Sequence, residues 1–290
     1  MFNLAKTAIL MAAITALFVV VGGMLGGEQG MFMALLIAIG MNFFSYWFSD
    51  TMVLKMTNAQ QVDERSAPQL YALVQELADK AGLPMPKVFV IEEDAPNAFA
   101  TGRNPEHALI AFTTRILEVM DRDELQGVIA HEMSHVANRD TLVSAVAATT
   151  AGAIAILSDF LTRMMWFGGG RDRDRGGNSN PLALVFSLVV LILAPLAAML
   201  LKSAISRKRE ALADATAVSF TRNPAGLRKA LEVLAADSTV VRQKSNAVAH
   251  IWIESPLDGQ TVSKLFSTHP PIQERIATLK AMESLGPSGE

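Results

Sequence analysis

Two stretches near the N-terminus, TAILMAAITALFVVVGGMLGG (7–27) and MFMALLIAIGMNFFSYWF (31–48), carry no charged side chain. At about 1.5 Å rise per residue each is long enough to cross a hydrocarbon core of about 30 Å, where only helices or closed barrels satisfy the backbone. A secretory signal, with Lys6 as its basic region, is the competing reading of the first stretch, and its removal leaves the downstream topology unchanged. A third apolar run, PLALVFSLVVLILAPLAAMLL (181–201), opens on Pro181 and is expected to kink at Pro195. The run at 141–167 is less clean, because Asp159 and Arg163 lie one turn apart and can pair. It reads as a span whose alternative is a hairpin dipping partway into the bilayer.

Composition agrees with membrane residence. Hydrophobic residues make up 51% of the chain, charged residues 18%, and mean hydropathy is +0.30, against about 25% charged in an ordinary soluble domain. A net charge of -3 gives no basic footprint for nucleic acid, so that class of partner is excluded. With no cysteine, disulfides and thiolate ligands are ruled out, and any metal site must use histidine and carboxylate.

Lysine and arginine set the expected orientation. There is none between Thr7 and Thr51, whereas Lys6, Lys55, Arg65, Lys202, Arg207, Lys208 and Arg209 flank the other ends, which puts both termini inside. The loop 168–180 is then outside, although it carries Arg171, Arg173 and Arg175 interleaved with Asp172 and Asp174. The expected organisation is two transmembrane helices in 1–49, two more in 141–201, and one discontinuous domain of about 180 residues from 50–140 and 202–290.

Within that domain Pro68 marks a helix start, and Leu70, Leu73, Val74 and Leu77 form an apolar stripe ended by Gly82 and Pro84. The period then changes, and KVFVIEE (87–93), NAFAT (97–101) and HALIAFTT (107–114) read as strands. Helices are predicted from about Asp121 and over SRKREALADATAVSF, NPAGLRKALEVLAADS and PPIQERIATLKAM; 239–268 carries no clear pattern.

The helix from Asp121 holds His-Glu-x-x-His. Residues four apart share a helix face, so His131 and His135 can present their rings to one tetrahedral ion while Glu132 reaches a fourth, open position. That arrangement suits hydrolysis: zinc acidifies a water and polarises a carbonyl, and the glutamate takes the proton. The alternative is a half-exposed helix with two solvated histidines. A third ligand is still needed. The metzincin pattern fails, because Asn138 and Thr141 stand where it needs glycine and histidine. Glu210 and Asp214 are again four apart, so one face could offer a carboxylate to a metal and a second to a histidine's other nitrogen. Two crossings separate His135 from Glu210 and return the chain to the same side. Taken alone, Glu210 reads equally as a solvated charge at a basic helix start.

The segments NAFATG, ALIAFTTRIL, GVIAHEMSHVANRDT, SRKREALADATA and STHPPIQERI stand in this order, and in them the chain resembles the HtpX membrane metalloproteases, relatives of the CAAX prenyl proteases. The resemblance implies that His131, His135 and Glu210 bind one Zn2+, that Glu132 is the catalytic base, and that Asp214 orients a ligand. It also implies a cytosolic catalytic face and a cleft lined by the strand at Asn97, Ala98, Phe99 and Ala100. By the same analogy His269 donates to the developing oxyanion, its alternative being a cap before two prolines; Arg275 anchors its helix or stabilises charge. His107 and His250 read as structural or surface residues.

The expected fold is an α-helical membrane protein with an α+β, gluzincin-like zincin domain: four transmembrane helices plus a small β-hairpin or sheet packed on the His-Glu-x-x-His helix. The expected function is a zinc-dependent endopeptidase of the cell membrane, multi-pass with its active site cytoplasmic, that cleaves misfolded or membrane polypeptides in protein quality control. Prenyl-peptide processing ranks lower, since four spans are few for the chamber of such enzymes. A non-catalytic scaffold stapled by zinc calls for a closed coordination shell. Cleavage inside the bilayer calls for an apolar motif helix, and here DRDEL and NRD flank the motif. Substrate identity and oligomeric state are not legible in the sequence.

Overall fold

The computed structural model describes residues 2–144, 146, 207–237, 253 and 271–284. Most of the expected span 141–167, the loop 168–180, the span 181–201, His250 and His269 lie outside the described residues.

The first element is a long helix, Phe2–Thr57 (α1), broken at Gly26 (φ -142°, ψ 18°) and Gly27 (φ 58°, ψ -143°). A left-handed φ is open to glycine without a Cβ penalty, and here it folds α1 back on itself. Asn42 Nδ2 on the returning arm donates to the Met11 carbonyl at 3.2 Å and to Thr15 Oγ1 at 2.9 Å, and the backbones of Gly22 and Gly30 meet near the turn. Small residues at the crossing and an interhelical side-chain bond are how helices associate where lipid leaves no hydrophobic drive. Two runs of α1, Thr7–Met24 and Gly26–Phe48, are long and apolar enough to cross a membrane, close to the boundaries the sequence suggests. Their outer surface exposes Phe32 at 61% and Phe43 at 58%, apolar area that lipid rather than water would cover.

Beyond Phe48 the helix continues to Thr57, further than its apolar run, and those last turns have a function in packing. Val53, Leu54 and Met56 cover one face of a four-stranded sheet, against Phe89, Ile91, Phe99, Leu109 and Ala111. The strands are Gln60–Val62 (β1), Lys87–Ile91 (β2), Ala98–Thr101 (β3) and Leu109–Thr113 (β4). Their order is β1-β2-β4-β3, with β2 and β4 parallel and the outer pairs antiparallel. Strand β3 is therefore an edge. The opposite sheet face, including Val88, Ala98, Ala100, Ile110 and Phe112, belongs to the main core with α2 (Pro68–Ala81), α3 (Thr114–Val119) and α4 (Arg122–Ala137). Alternation of side chains across each strand puts successive residues in different cores.

Helix α4 starts on a capping box, Asp121 accepting from Glu124 N while the Glu124 side chain accepts from Asp121 N. It is buried from Gly127 to Ser134 between the sheet and helices α5 (Arg207–Thr221) and α6 (Pro224–Ala236). Helices α4 and α6 touch backbone to backbone: a Cβ on Gly127 would stand 2.5 Å from Leu227 N, and one on Gly226 2.5 Å from Asp123 O. Helix α7 (Ile272–Ser284) closes the core with buried Leu279 and an ion pair from Glu283 to Arg228 of α6.

Candidate metal centre

Helix α4 points both motif histidines at α5. Nε2 of His131 and Nε2 of His135 are 3.2 Å apart, and Glu210 on α5 brings Oε2 to 3.6 Å from the first and Oε1 to 3.6 Å from the second. Donors held at about 2.0–2.1 Å around a tetrahedral ion stand about 3.3 Å from one another; here one ligand atom from each of the three residues lies within 4.8 Å of the other two, close enough for small side-chain adjustments to close a cage. Among the described residues this is the one group of three with metal-ligand character. His131 is fully buried, whereas 14% of the His135 side chain is exposed.

Behind each imidazole stands a carboxylate. Asp214 Oδ1 is 2.9 Å from His131 Nδ1, and Asp140 Oδ2 is 3.1 Å from His135 Nδ1. An N–H at Nδ1 donating to the carboxylate leaves the Nε2 lone pair for a metal. Asp214 in turn accepts two bonds from Arg275, Nη2 to Oδ1 at 2.7 Å and Nε to Oδ2 at 3.0 Å. Arg275 also sits 3.9 Å from Glu210 Oε2, and it is 5% exposed.

The electrostatics divide the two histidines. Burial and the Arg275 charge push His131 down to about 4, although Asp214 pulls the other way. Burial depresses His135 too, but the Glu210 charge, the bond to Asp140 and the Glu132 and Asp140 charges outweigh it and lift His135 to about 9. Burial raises Asp214, yet its bond to His131 and the charge of Arg275 bring it down to about 2.

Glu132 is 4% exposed and turns toward the sheet, where its Oε2 accepts the Ala100 N–H at 2.7 Å. Thus His131, Glu132, His135, Glu210, Asp214 and Arg275 converge on one locus, with β3 beside it. Asn97, Ala98, Phe99 and Ala100 are all buried; Asn97 N donates to Thr113 Oγ1 at 2.9 Å. The outward groups of β3 are engaged within the chain, Ala98 O by Ile253 N at 3.0 Å and Ala100 N by Glu132. His107 is exposed and bonds Asn104 Oδ1 through Nδ1. His269 lies outside the described residues. Sequence reasoning misses Asp140: Asn-Arg-Asp after the motif marks only an aqueous setting, yet Asp140 is 4% exposed. Its signal is structural, a left-handed Arg139 (φ 57°) that turns the chain inward after α4.

Comparison with known proteins agrees with this geometry. The model of peptidase family M48 matches residues 64–283. A protease HtpX homolog of Polynucleobacter necessarius is 59% identical over 290 residues, 99% of this chain and 98% of the relative. One of Paraburkholderia phytofirmans is 53% identical over 291 residues, 99% of each. In three dimensions the chain resembles the crystal structure of S. mikatae Ste24p, with a TM-score of 0.54 and 20% identity, covering 95% of this chain and 64% of that one; at that identity the likeness is one of fold. On the span of the family match and the near-full-length relatives, the chain belongs to peptidase family M48, as a metalloendopeptidase of the HtpX type.

Proposed function

We propose that the chain is an integral-membrane, zinc-dependent endopeptidase that cleaves misfolded or membrane polypeptides on the cytoplasmic face, in protein quality control. His131, His135 and Glu210 hold one zinc, a reading supported by their ligand atoms lying within 4.8 Å of one another. Zinc held there lowers the pKa of water toward about 7 and polarises a scissile carbonyl. Glu132 takes the proton of the attacking water on its carboxylate and passes it to the leaving amine. Its position between the histidine pair and the β3 backbone supports that role. Asp214 fixes the His131 ring, and Arg275, bonded twice to Asp214, anchors it. His269 donates to the oxyanion, by resemblance alone.

A substrate adds along β3, at Asn97 to Ala100, through backbone bonds that ignore side-chain identity and so give broad specificity. To do so it displaces Ile253 N from Ala98 O and the Glu132 carboxylate from Ala100 N. Membrane residence is supported by the two apolar runs of α1; a domain divided between 50–140 and 202–290, four spans and cytoplasmic termini follow from the apolar runs and charge bias of the sequence.

The carrying observation is the convergence of two imidazoles and a distant carboxylate beside Glu132. Purified full-length chain in detergent should contain about one zinc and degrade an unfolded model protein, with activity lost to a chelator and restored by zinc. Glu132→Gln should keep the zinc and slow cleavage by about 10²–10⁴-fold. Undiminished proteolysis by that variant refutes the base assignment.

A further inference from the structure

We propose that Asp140 is a positioning residue for the metal centre, the counterpart at His135 of Asp214 at His131. This rests on the metal reading above. The two imidazoles are backed in parallel: His131 Nδ1 meets Asp214, which Arg275 of α7 holds, and His135 Nδ1 meets Asp140, whose Oδ1 lies 3.5 Å from Nη1 of Arg209 on α5. Each chain of contacts ends on an arginine from another helix, so each ring is fixed by an element other than α4. Arg209 immediately precedes Glu210, and Asp140 therefore ties the histidine ligand of one helix to the carboxylate ligand of the other.

The local backbone is built for this. Helix α4 closes with Asn138 N on Ser134 O at 3.0 Å and Arg139 N on Val136 O at 3.1 Å. Left-handed Arg139 then swings the chain back, so that Asp140, five residues after His135, comes to lie beneath its ring. The next residue locks the turn, Thr141 Oγ1 donating to the Gly102 carbonyl at 3.0 Å just past β3. One short segment thus fixes both the tautomer of His135, with Nε2 toward the cage, and the distance from the cage to the edge strand. Loss of such a carboxylate partner typically lowers metal affinity about 10–100-fold.

Asp140 is also the first residue of the helix at 140–144, so a contribution to the helix start must be separated from a role at the metal. Serine, like aspartate, suits the start of a helix, but its shorter side chain does not reach the ring; asparagine keeps an acceptor at the same reach. Full-length wild type, Asp140→Ser and Asp140→Asn are compared for zinc affinity against a chromophoric chelator, for the visible spectrum with cobalt(II) in place of zinc, and for melting without metal. Asp140→Ser should bind zinc about 10–100-fold more weakly with an altered cobalt spectrum and Asp140→Asn should lose less than about tenfold with the spectrum kept, while both metal-free variants, lacking the buried charge beside Arg209 and His135, should melt below the wild type by similar amounts. Should Asp140→Ser not fold, Asp140→Ala takes its place. Wild-type zinc affinity in the serine or alanine variant overturns the assignment, as do equal losses of zinc affinity in Ser and Asn, which mark a role for the charge or the fold rather than for holding the ring. A wild type that binds no zinc overturns the metal reading itself, and this assignment with it.

Discussion

In metal-free protein the two histidines of the centre titrate far apart. His135, among Glu210, Asp140 and Glu132, keeps its proton up to about 9, whereas His131, buried beside Arg275, gives its proton up at about 4. A metal must displace the His135 proton, so between these values apparent zinc affinity should rise about tenfold per pH unit. Chelator competition at pH 6, 7 and 8 measures that slope, and a flat response means that His135 is already neutral. The folded pKa of His135 lies above the unfolded value of about 6.5, so its contribution to stability is full below 6.5 and fades as pH rises through about 9; metal-free protein should melt progressively lower over that window. Arg275 is the second test at this scale. Arg275→Met leaves the Asp214 carboxylate buried without its counter-charge, which should cost about 3–5 kcal/mol, read as a lower denaturation midpoint. Much of this was legible beforehand. His131, Glu132 and His135 declare themselves by helical spacing, and Glu210 with Asp214 by the same spacing plus parity. Asp140 does not, because its contact depends on the left-handed turn at Arg139, and nothing in a local pattern announces that an arginine takes that conformation.

The relation of α4 to α6 is decided at two glycines. Since a Cβ on Gly127 would stand 2.5 Å from Leu227 N and 2.6 Å from its Cα, neither neighbour a flexible side chain, Gly127→Ala must separate two helices that bury Val128, Ile129, Leu231 and Leu234. A cost of about 1–3 kcal/mol is expected, together with weaker zinc binding, because His131 lies one turn along the same helix. Calorimetry with and without metal checks both, and an unchanged melting temperature means that the helices have room to spare. Element by element, α2, α4 to α7, β2, β3 and β4 sit close to where periodicity and turn signals put them. Strand β1 was invisible: Gln60–Val62 is short, polar and mostly exposed, and it is a strand only because the end of α1 delivers it antiparallel to β2. Nor does an apolar count reveal that α1 runs on to Thr57, since its final turns, with Lys55 among them, are held by the sheet rather than by lipid.

For the molecule as a whole, α4 and α5 pack together around the centre, so both lie on the same side of any bilayer. Tyr46 and Trp47 stand at the end of the apolar run Gly26–Phe48, the residue types that gather at a membrane–water interface. The Arg103 guanidinium lies 4.8 Å from the Trp47 ring centre, and Arg103 comes three residues after Ala100, whose N–H meets Glu132. Adding that contact, the arginine side chain, three residues at about 3.3 Å each and the Ala100–Glu132 bond puts the Glu132 carboxylate within about 25 Å of the Trp47 ring. A polypeptide anchored by its own span should therefore become cleavable once no more than about 7 residues lie between the end of that span and the scissile bond. Longer spacers should lower the rate only gradually, as effective concentration declines with about the -3/2 power of length. A series of single-span substrates in proteoliposomes, alike except for spacers of 2 to about 20 residues, measures this directly through the length at which product first forms. Onset within about seven residues fits a catalytic face close to the headgroups. Onset only beyond about 12 residues, or about 40 Å of extended chain, would mean that Trp47 does not mark the interface and that the edge strand stands well clear of the lipid.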